Sequence, residues 1–314
     1  MSPEPCGGAR PHRPSRVACV GIAVLDHIFT LARLPAGAGK YFALRLDEVG
    51  GGPAASAAAA IARLGGVASL FARVGDDAAA AAIVAELAAQ GVDVEGVRRS
   101  PNAHSPTAAV LVGEGGERLI ATYADPRLPD DATWLPLERI AAAGCLLVDV
   151  RWPTGAAAAL GAAFAHGLPS VLDADASPEP EAVRPLLARA SHVVFSQTGL
   201  AAATGIADPE RALVVARRLA PGWLAVTLGE RGALSLEAEG IRHWPAFAVS
   251  AIDTVGAGDV FHGAFALGLA ETMPLPRAMR FAAAAAALKC ARPGGRSGIP
   301  DRAAVERLLR EELQ

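Results

Sequence analysis

The window Asp253-Thr254-Val255-Gly256-Ala257-Gly258-Asp259 holds the residues of this 314-residue chain best spaced for chemistry. Two glycines flank one alanine, so the backbone can turn tightly and bring several N–H groups to one point. A small apolar stretch, Val260–Ala270, follows at once and reads as a helix whose positive end would face that point. Asp259 stands at the mouth of the cradle, where a carboxylate is tolerated and can take a proton. An anion hole with an adjacent base is what phosphoryl transfer to an alcohol requires. Gly-x-Gly before a helix is also a common structural turn. Two features favour chemistry here. An Asp closes each end of the window, with no obvious partner nearby for Asp253. The helix is also small enough, through Gly263, Ala264, Ala266 and Gly268, to lie buried at the centre of a sheet protein.

Such a cradle needs a scaffold, and the flanking sequence predicts one. Arg16–Leu25 is a continuous apolar run that predicts a buried strand, with Asp26 at its carboxyl end. Ala54–Leu64 predicts a helix stopped by Gly65-Gly66. Val67–Arg73 predicts a strand, and Gly75-Asp76-Asp77 predicts the cap of a helix running to about Gln90. Cys145–Val150, Ser170–Asp173, His192–Phe195 and Trp223–Leu228 continue the alternation. Alternating strands and helices predict a parallel sheet covered on both faces, with ligands at the carboxyl ends of its strands. Phe29–Val49 and Thr107–Tyr123 break the pattern with short extended pieces and turns at Gly37, Gly39, Gly113, Gly115 and Gly116. Inserted pieces of this kind predict a small sheet lying over the ligand edge as a lid.

The bulk properties narrow the classes. With 52% hydrophobic residues the chain can build one large core. A net charge of −3 implies no basic face and argues against nucleic acid as a partner. No apolar run reaches the roughly 18 residues of a membrane span. Cys6, Cys19, Cys145 and Cys290 are scattered without a C-x-x-C pair, as expected for reduced thiols in the cytoplasm, with Cys19 and Cys145 buried. Residues 1–15 carry prolines and arginines but no apolar segment, which predicts a disordered leader rather than a signal peptide.

Three segments together resemble the ribokinase-like (PfkB) sugar kinase family. They are Gly50-Gly51-Gly52-Pro53-Ala54-Ala55-Ser56 leading to Arg73-Val74-Gly75-Asp76-Asp77, then Val226-Thr227-Leu228-Gly229-Glu230-Arg231-Gly232, then Asp253–Asp259. The likeness runs from Val17 onward. It implies an α/β fold over residues 16–314: a three-layer α/β/α core with a mostly parallel sheet, plus a small β-sheet lid from segments near 29–49 and 107–123. It also implies ATP, Mg²⁺ and a homodimer formed through the lid. By the same likeness Asp259 is the catalytic base, and Gly256, Ala257 and Gly258 supply the anion hole. Thr227, Gly229 and Gly232 lie along the nucleotide, whose phosphates also meet Gly256 and Gly258. Asp26, Gly51, Gly52 and Ser56 belong to the substrate end, Asp26 holding hydroxyls. Read from the residues alone, an Asp ending a buried strand at the ligand edge can accept two hydroxyls or cap a turn. The chain also departs from the family. Ser56 stands where many members have asparagine, and Ser196-Gln197-Thr198-Gly199 lacks the glutamate of the usual Asn-x-x-Glu. The metal ligands are therefore open.

Two cations bear on the substrate. Lys40 lies in the first lid segment, and Arg151 follows the strand Cys145–Val150 at the ligand edge. Two cations near one pocket suit an anionic group on the substrate, arginine offering a planar two-point contact. The alternatives are a solvated lysine and an arginine paired with an acid. Arg118 is a further candidate, and Thr122 and Tyr123 could add hydroxyl donors. Within the family, Arg16–Asp26, Gly39-Lys40-Tyr41, Glu48–Ala55, Asp149-Val150-Arg151-Trp152 and Leu288-Lys289-Cys290 through Arg292–Arg296 with Gly298-Ile299-Pro300 are similar to the sulfofructose kinase branch. That likeness implies phosphorylation of 6-deoxy-6-sulfofructose at its 1-hydroxyl, with Lys40 and Arg151 on the sulfonate and Thr122 where an amide is expected. A kinase of a phosphorylated or neutral ketose or pentose, and a non-catalytic sugar sensor, are the other readings. The glycine-broken basic loop Arg292–Ile299 could close over the nucleotide, support a monovalent cation site, or simply end a helix.

Overall fold

The computed structural model describes residues 15–114 and 117–312. Its strands are β1 (Arg16–Val20), β2 (Val24–Leu31), β3 (Arg45–Gly51), β4 (Val67–Gly75), β5 (Asp93–Ser100), β6 (Thr107–Gly113) and β7 (Arg118–Tyr123). There follow β8 (Cys145–Asp149), β9 (Ser170–Ala174), β10 (His192–Ser196), β11 (Trp223–Thr227), β12 (Ala233–Glu237) and β13 (Gly240–Trp244). The helices are α1 (Pro53–Arg63), α2 (Ala78–Ala89), α3 (Leu137–Ala141), α4 (Pro153–Ala165) and α5 (Pro180–Leu187). They continue with α6 (Gln197–Thr204), α7 (Pro209–Ala216), α8 (Ala257–Ala270), α9 (Leu275–Cys290) and α10 (Arg302–Glu311).

Valine- and leucine-rich strands form a nine-stranded sheet in the order β13-β12-β11-β10-β9-β8-β1-β4-β5. It is parallel from β11 across to β5, and the hairpin β12–β13 adds an antiparallel edge. Side chains alternate between two cores, as the period of a strand requires. Val17 and Cys19 of β1 pack under α1, α8 and α9, whereas Ala18 and Val20 pack on the opposite face with α4 and α7. The result is the expected three-layer α/β/α arrangement. A second, four-stranded sheet runs β3-β2-β6-β7, parallel only between β2 and β6.

Several boundaries differ from expectation. The run Arg16–Leu25 is two strands in two sheets, and the chain leaves the large sheet at Gly21-Ile22-Ala23. A Cβ at Gly21 would lie 2.1 Å from the Asp149 carboxylate, so this crossing needs glycine. Asp26 therefore sits within β2 of the small sheet and does not end a core strand. The small sheet also takes in Val24–Leu31 and Arg45–Gly51, wider than 29–49 at both ends. Strand β5 and the hairpin β12–β13 were not foreseen; their charged and polar faces hide the period. The Asp77 cap is as expected, its carboxylate accepting the Ala80 N–H at 2.9 Å. Cys19 and Cys145 are buried and, with Cys290, unbridged. Cys6, the leader up to residue 14 and the turn at Gly115-Gly116 lie outside the described residues. Among the described residues no helix is long and apolar enough to cross a membrane.

Candidate active site

The anion cradle forms because Gly256 adopts a left-handed conformation, φ 74°, immediately before α8. No side chain caps this helix, so its first N–H groups stay open to a ligand. Ala257, expected to serve the hole, turns its N–H back onto the Thr254 carbonyl at 3.3 Å, and the open N–H groups at the start of α8 are those of Gly258 and Asp259. A Cβ at Gly258 would meet nothing within 4 Å, so the cradle is open on that side. His262 fixes the turn from behind. Its Nδ1 lies 2.7 Å from the Gly258 carbonyl and its Nε2 3.2 Å from the Val194 carbonyl, with buried Asp173 at 3.5 Å.

Asp259 faces a cavity that Asp26, Gly51, Gly52, Ser56 and Gly256 also line. Burial raises the pKa of both carboxyls. It pushes Asp26 up to about 6, with Arg296 opposing and Asp259 adding to the rise. Asp259 is raised by burial and by Asp175, while His262, Arg296 and the Ser56 hydroxyl hold it down. A Cβ at Gly51 would lie 2.2 Å from the Asp26 carboxylate, so only glycine admits that carboxylate. Gly52, at φ 91°, starts α1 on the opposite wall.

Arg296, unassigned by the sequence, is with Lys289 one of two cations lining this cavity. It is 4% exposed, on the loop after α9. Its Nε donates to Ser56 Oγ at 3.3 Å, its Nη1 to Glu86 at 3.4 Å and its Nη2 to the Gly51 carbonyl. Burial lowers its pKa, and Glu86, Asp259 and Asp26 oppose the loss of charge. Ser56 thus accepts from a buried arginine. Asp149 at the end of β8 is a second unforeseen hub. It is buried, pushed up to about 6 by burial, and accepts the N–H groups of Ile22, Ala54 and Arg151.

The remaining expected residues stand elsewhere. Lys40 is exposed in the β2–β3 connection, its Nζ 5.5 Å from the Phe42 ring centre, and Thr122 is exposed on β7. Arg151, just beyond β8, is paired through Nη2 with Asp175 at 2.8 Å, and Asp175 also accepts the Ser196 hydroxyl at 2.7 Å. None of Lys40, Thr122 and Arg151 lines the Asp26–Asp259 cavity. Arg118 instead donates to Thr254 Oγ1 at 2.8 Å, so the small sheet touches the anion window. Thr227 ends β11, its hydroxyl 3.4 Å from the Phe195 carbonyl, and Gly229 and Gly232 turn the chain into β12 at φ 63° and 83°. Asp253 does have a partner: Lys289 Nζ donates to its carboxylate at 2.8 Å and to its carbonyl at 2.9 Å.

Residues 14–302 match the family described as pfkB family carbohydrate kinase. The chain belongs to that family. As such it is a phosphotransferase with an alcohol acceptor, an ATP-dependent carbohydrate kinase. It is 28% identical over 295 residues to a ribokinase of Bacillus subtilis, covering 93% of this chain and 99% of that protein. It is 29% identical to an ATP-dependent ribose-1-phosphate kinase of Halopiger xanaduensis, covering 95% of this chain and 99% of that protein. A crystal structure of a candidate ribokinase from Agrobacterium tumefaciens superposes with a TM-score of 0.90 at 39% identity, covering 96% of this chain and 99% of that one. The ribokinase of Arabidopsis thaliana, solved with ribose and ATP, gives 0.83 at 27% identity over 94% and 98%. These pfkB kinases carry the same two-sheet fold, with a large mostly parallel sheet beside a smaller one.

Proposed function

We propose that this kinase transfers the γ-phosphate of ATP to a primary sugar hydroxyl held between Asp26 and Asp259. The observation that carries the reading is one cavity into which Asp26 comes from the small sheet and Asp259 from the first turn of α8. Asp26 accepts hydroxyl hydrogen bonds from the sugar. Asp259 takes the proton of the attacking hydroxyl, and the Gly258 and Asp259 N–H groups, with the α8 dipole, steady the charge on the transferring group. Thr227, Gly229 and Gly232 would lie along the nucleotide, at the same sheet edge as the cradle. The Arabidopsis ribokinase solved with ATP, a relative by sequence and fold, supports ATP as the donor.

Mg²⁺, when bound, neutralises phosphate charge during transfer. In nucleotide enzymes this ion is held largely by phosphates and water, with one or two carboxylates. The donor set here fits that chemistry. Asp175, coupled electrostatically to Asp259 and partly exposed, would supply a carboxylate where Gly199 stands in place of the family's glutamate. At Gly199 a Cβ would come within 2.1 Å of the Ala174 carbonyl, which leaves no space for a glutamate.

For the substrate we favour an anionic sugar, 6-deoxy-6-sulfofructose phosphorylated at the 1-hydroxyl. The sequence likeness around Lys40 and Arg151 supports this. Arg151 itself is paired with Asp175 and stands outside the Asp26–Asp259 cavity, so this reading rests on the likeness. A phosphorylated or neutral ketose or pentose is the second reading, favoured by the ribokinase and ribose-1-phosphate kinase relatives. ADP release should be measured with sulfofructose, fructose, ribose and their phosphates. Sulfofructose should give the highest kcat/KM, and Arg151→Met should remove most of that preference. Equal use of neutral sugars by both proteins would overturn the anionic reading, and no ADP release with any sugar would favour a sensor. The unbridged thiols fit a reducing cytoplasm.

A further inference from the structure

The chain has two lysines against 27 arginines, and one of them, Lys289, is among its most deeply buried side chains at 1% exposure. It ends α9 directly behind the anion window. Its ammonium donates to the Asp253 carboxylate at 2.8 Å and to the Asp253 carbonyl at 2.9 Å. Two further bonds clamp the same residue and a third clamps its neighbour Ile252. The N–H groups of Ile252 and Asp253 donate to the Cys290 carbonyl at 2.7 and 3.1 Å, and the Gly295 N–H donates to the Asp253 carboxylate at 3.1 Å. Burial works against the charge on Asp253. The Lys289 ammonium and the Val255 and Gly295 N–H groups outweigh it and hold its carboxyl below the usual range. The pair is therefore an ion pair under the floor of the cavity, which Lys289, Val255 and Gly256 line together.

A monovalent cation at this turn would need oxygen ligands, and the Asp253 carbonyl and carboxylate are the pair the window offers. Both already accept from one ammonium, so a second cation sharing them would lie against a like charge with no counter-charge left. The residues do not fit an alkali cation here. We propose that Lys289 is a positioning residue that serves as a tethered cation. It holds the Asp253 end of the window so that the Gly258 and Asp259 N–H groups converge, and it makes turnover independent of potassium and sodium. Lysine suits the place better than arginine because its charge is compact and its three donors can meet two oxygens of one residue. The inference rests on the window being the phosphoryl-transfer site.

The first test uses the unaltered enzyme. ADP release with the best sugar of the panel should give the same kcat in potassium, sodium and choline chloride at matched ionic strength. Activation of about tenfold or more by potassium over choline would overturn the proposal. The second test uses Lys289→Ala. Its kcat should fall about 10- to 100-fold with little change in the sugar KM, in the range of losing one anion-hole donor. Potassium or methylammonium, but not choline, should restore part of both kcat and melting temperature in the variant, and neither should affect the wild type. A variant that keeps wild-type kcat, or loses it without ion-specific rescue, would contradict a cation role. Where Lys289→Ala fails to fold, the ion panel on the wild type decides alone. If no sugar is turned over, the site assignment has failed. Ion-selective recovery of the variant's melting temperature would still show Lys289 standing in for a bound cation.

Discussion

Asp26 and Asp259 reach one cavity from different elements; burial opposes ionisation of both, and the Asp259 charge adds to the rise at Asp26. Asp259 works as a base only when deprotonated. A pKa raised by burial therefore moves the loss of activity to higher pH than an ordinary carboxylate would give. With Asp26 at about 6 and Asp259 raised in the same direction, kcat/KM should fall as pH drops through about 6. A pH profile flat down into the ordinary carboxylate range would contradict this environment. At this scale the sequence shows the window clearly, because Gly256, Gly258 and Asp259 are contiguous. Gly51 and Gly52 are legible for the same reason. Arg296 and Lys289 are not, because each acts on a residue far away in sequence, and only the packing of α9 and its following loop brings them there. Arg151 was legible as a cation at the ligand edge, but its pairing with Asp175 across β8 and β9 was not.

The elements position the base through one close helix contact. Helix α8 crosses α1 at Gly263, where a Cβ would lie 2.5 Å from the Ala57 carbonyl. Backbone cannot yield as a flexible side chain can. Gly263→Ala should therefore separate the helices and lower stability by about 1–3 kcal/mol, the range for overpacking a core. It should also reduce kcat by shifting the first turn of α8. Chemical denaturation and steady-state rates on the same preparation check both parts, and an unchanged midpoint would contradict the contact. The core strands were legible because parallel strands buried on both faces read as continuous apolar runs. The same rule hid the break in Arg16–Leu25. Apolarity continues through Gly21-Ile22-Ala23 although the chain changes sheets there, and only the approach of Asp149 shows why glycine marks the place.

At the scale of the whole molecule, the small sheet presents large apolar side chains to solvent. Phe42, Leu44, Leu46, Leu119, Ile120 and Tyr123 are all exposed on it or on its connections. A patch of this kind suits an interface better than water. We propose that a second copy covers it, in a homodimer formed through the lid. Light scattering after size exclusion should give a dimer mass, and Leu119→Glu with Ile120→Glu should give a folded monomer. A wild-type monomer at micromolar concentration would contradict the interface. The alternation of strands and helices made the three-layer core legible in the sequence. The small sheet was legible as two interruptions of that alternation, and its exposed apolar side chains, Leu119 on one face and Ile120 on the other, were not, because β7 reads simply as a strand.

Asp259→Asn, assayed by ADP release with saturating sugar and ATP, tests the base most directly. The cradle and the cavity survive the change, and a buried negative charge is removed. The kcat should therefore fall by about 10²–10⁴-fold, the contribution of a positioned general base, while the melting temperature holds or rises. Turnover near the wild-type rate by the folded variant would contradict Asp259 as the residue that takes the proton.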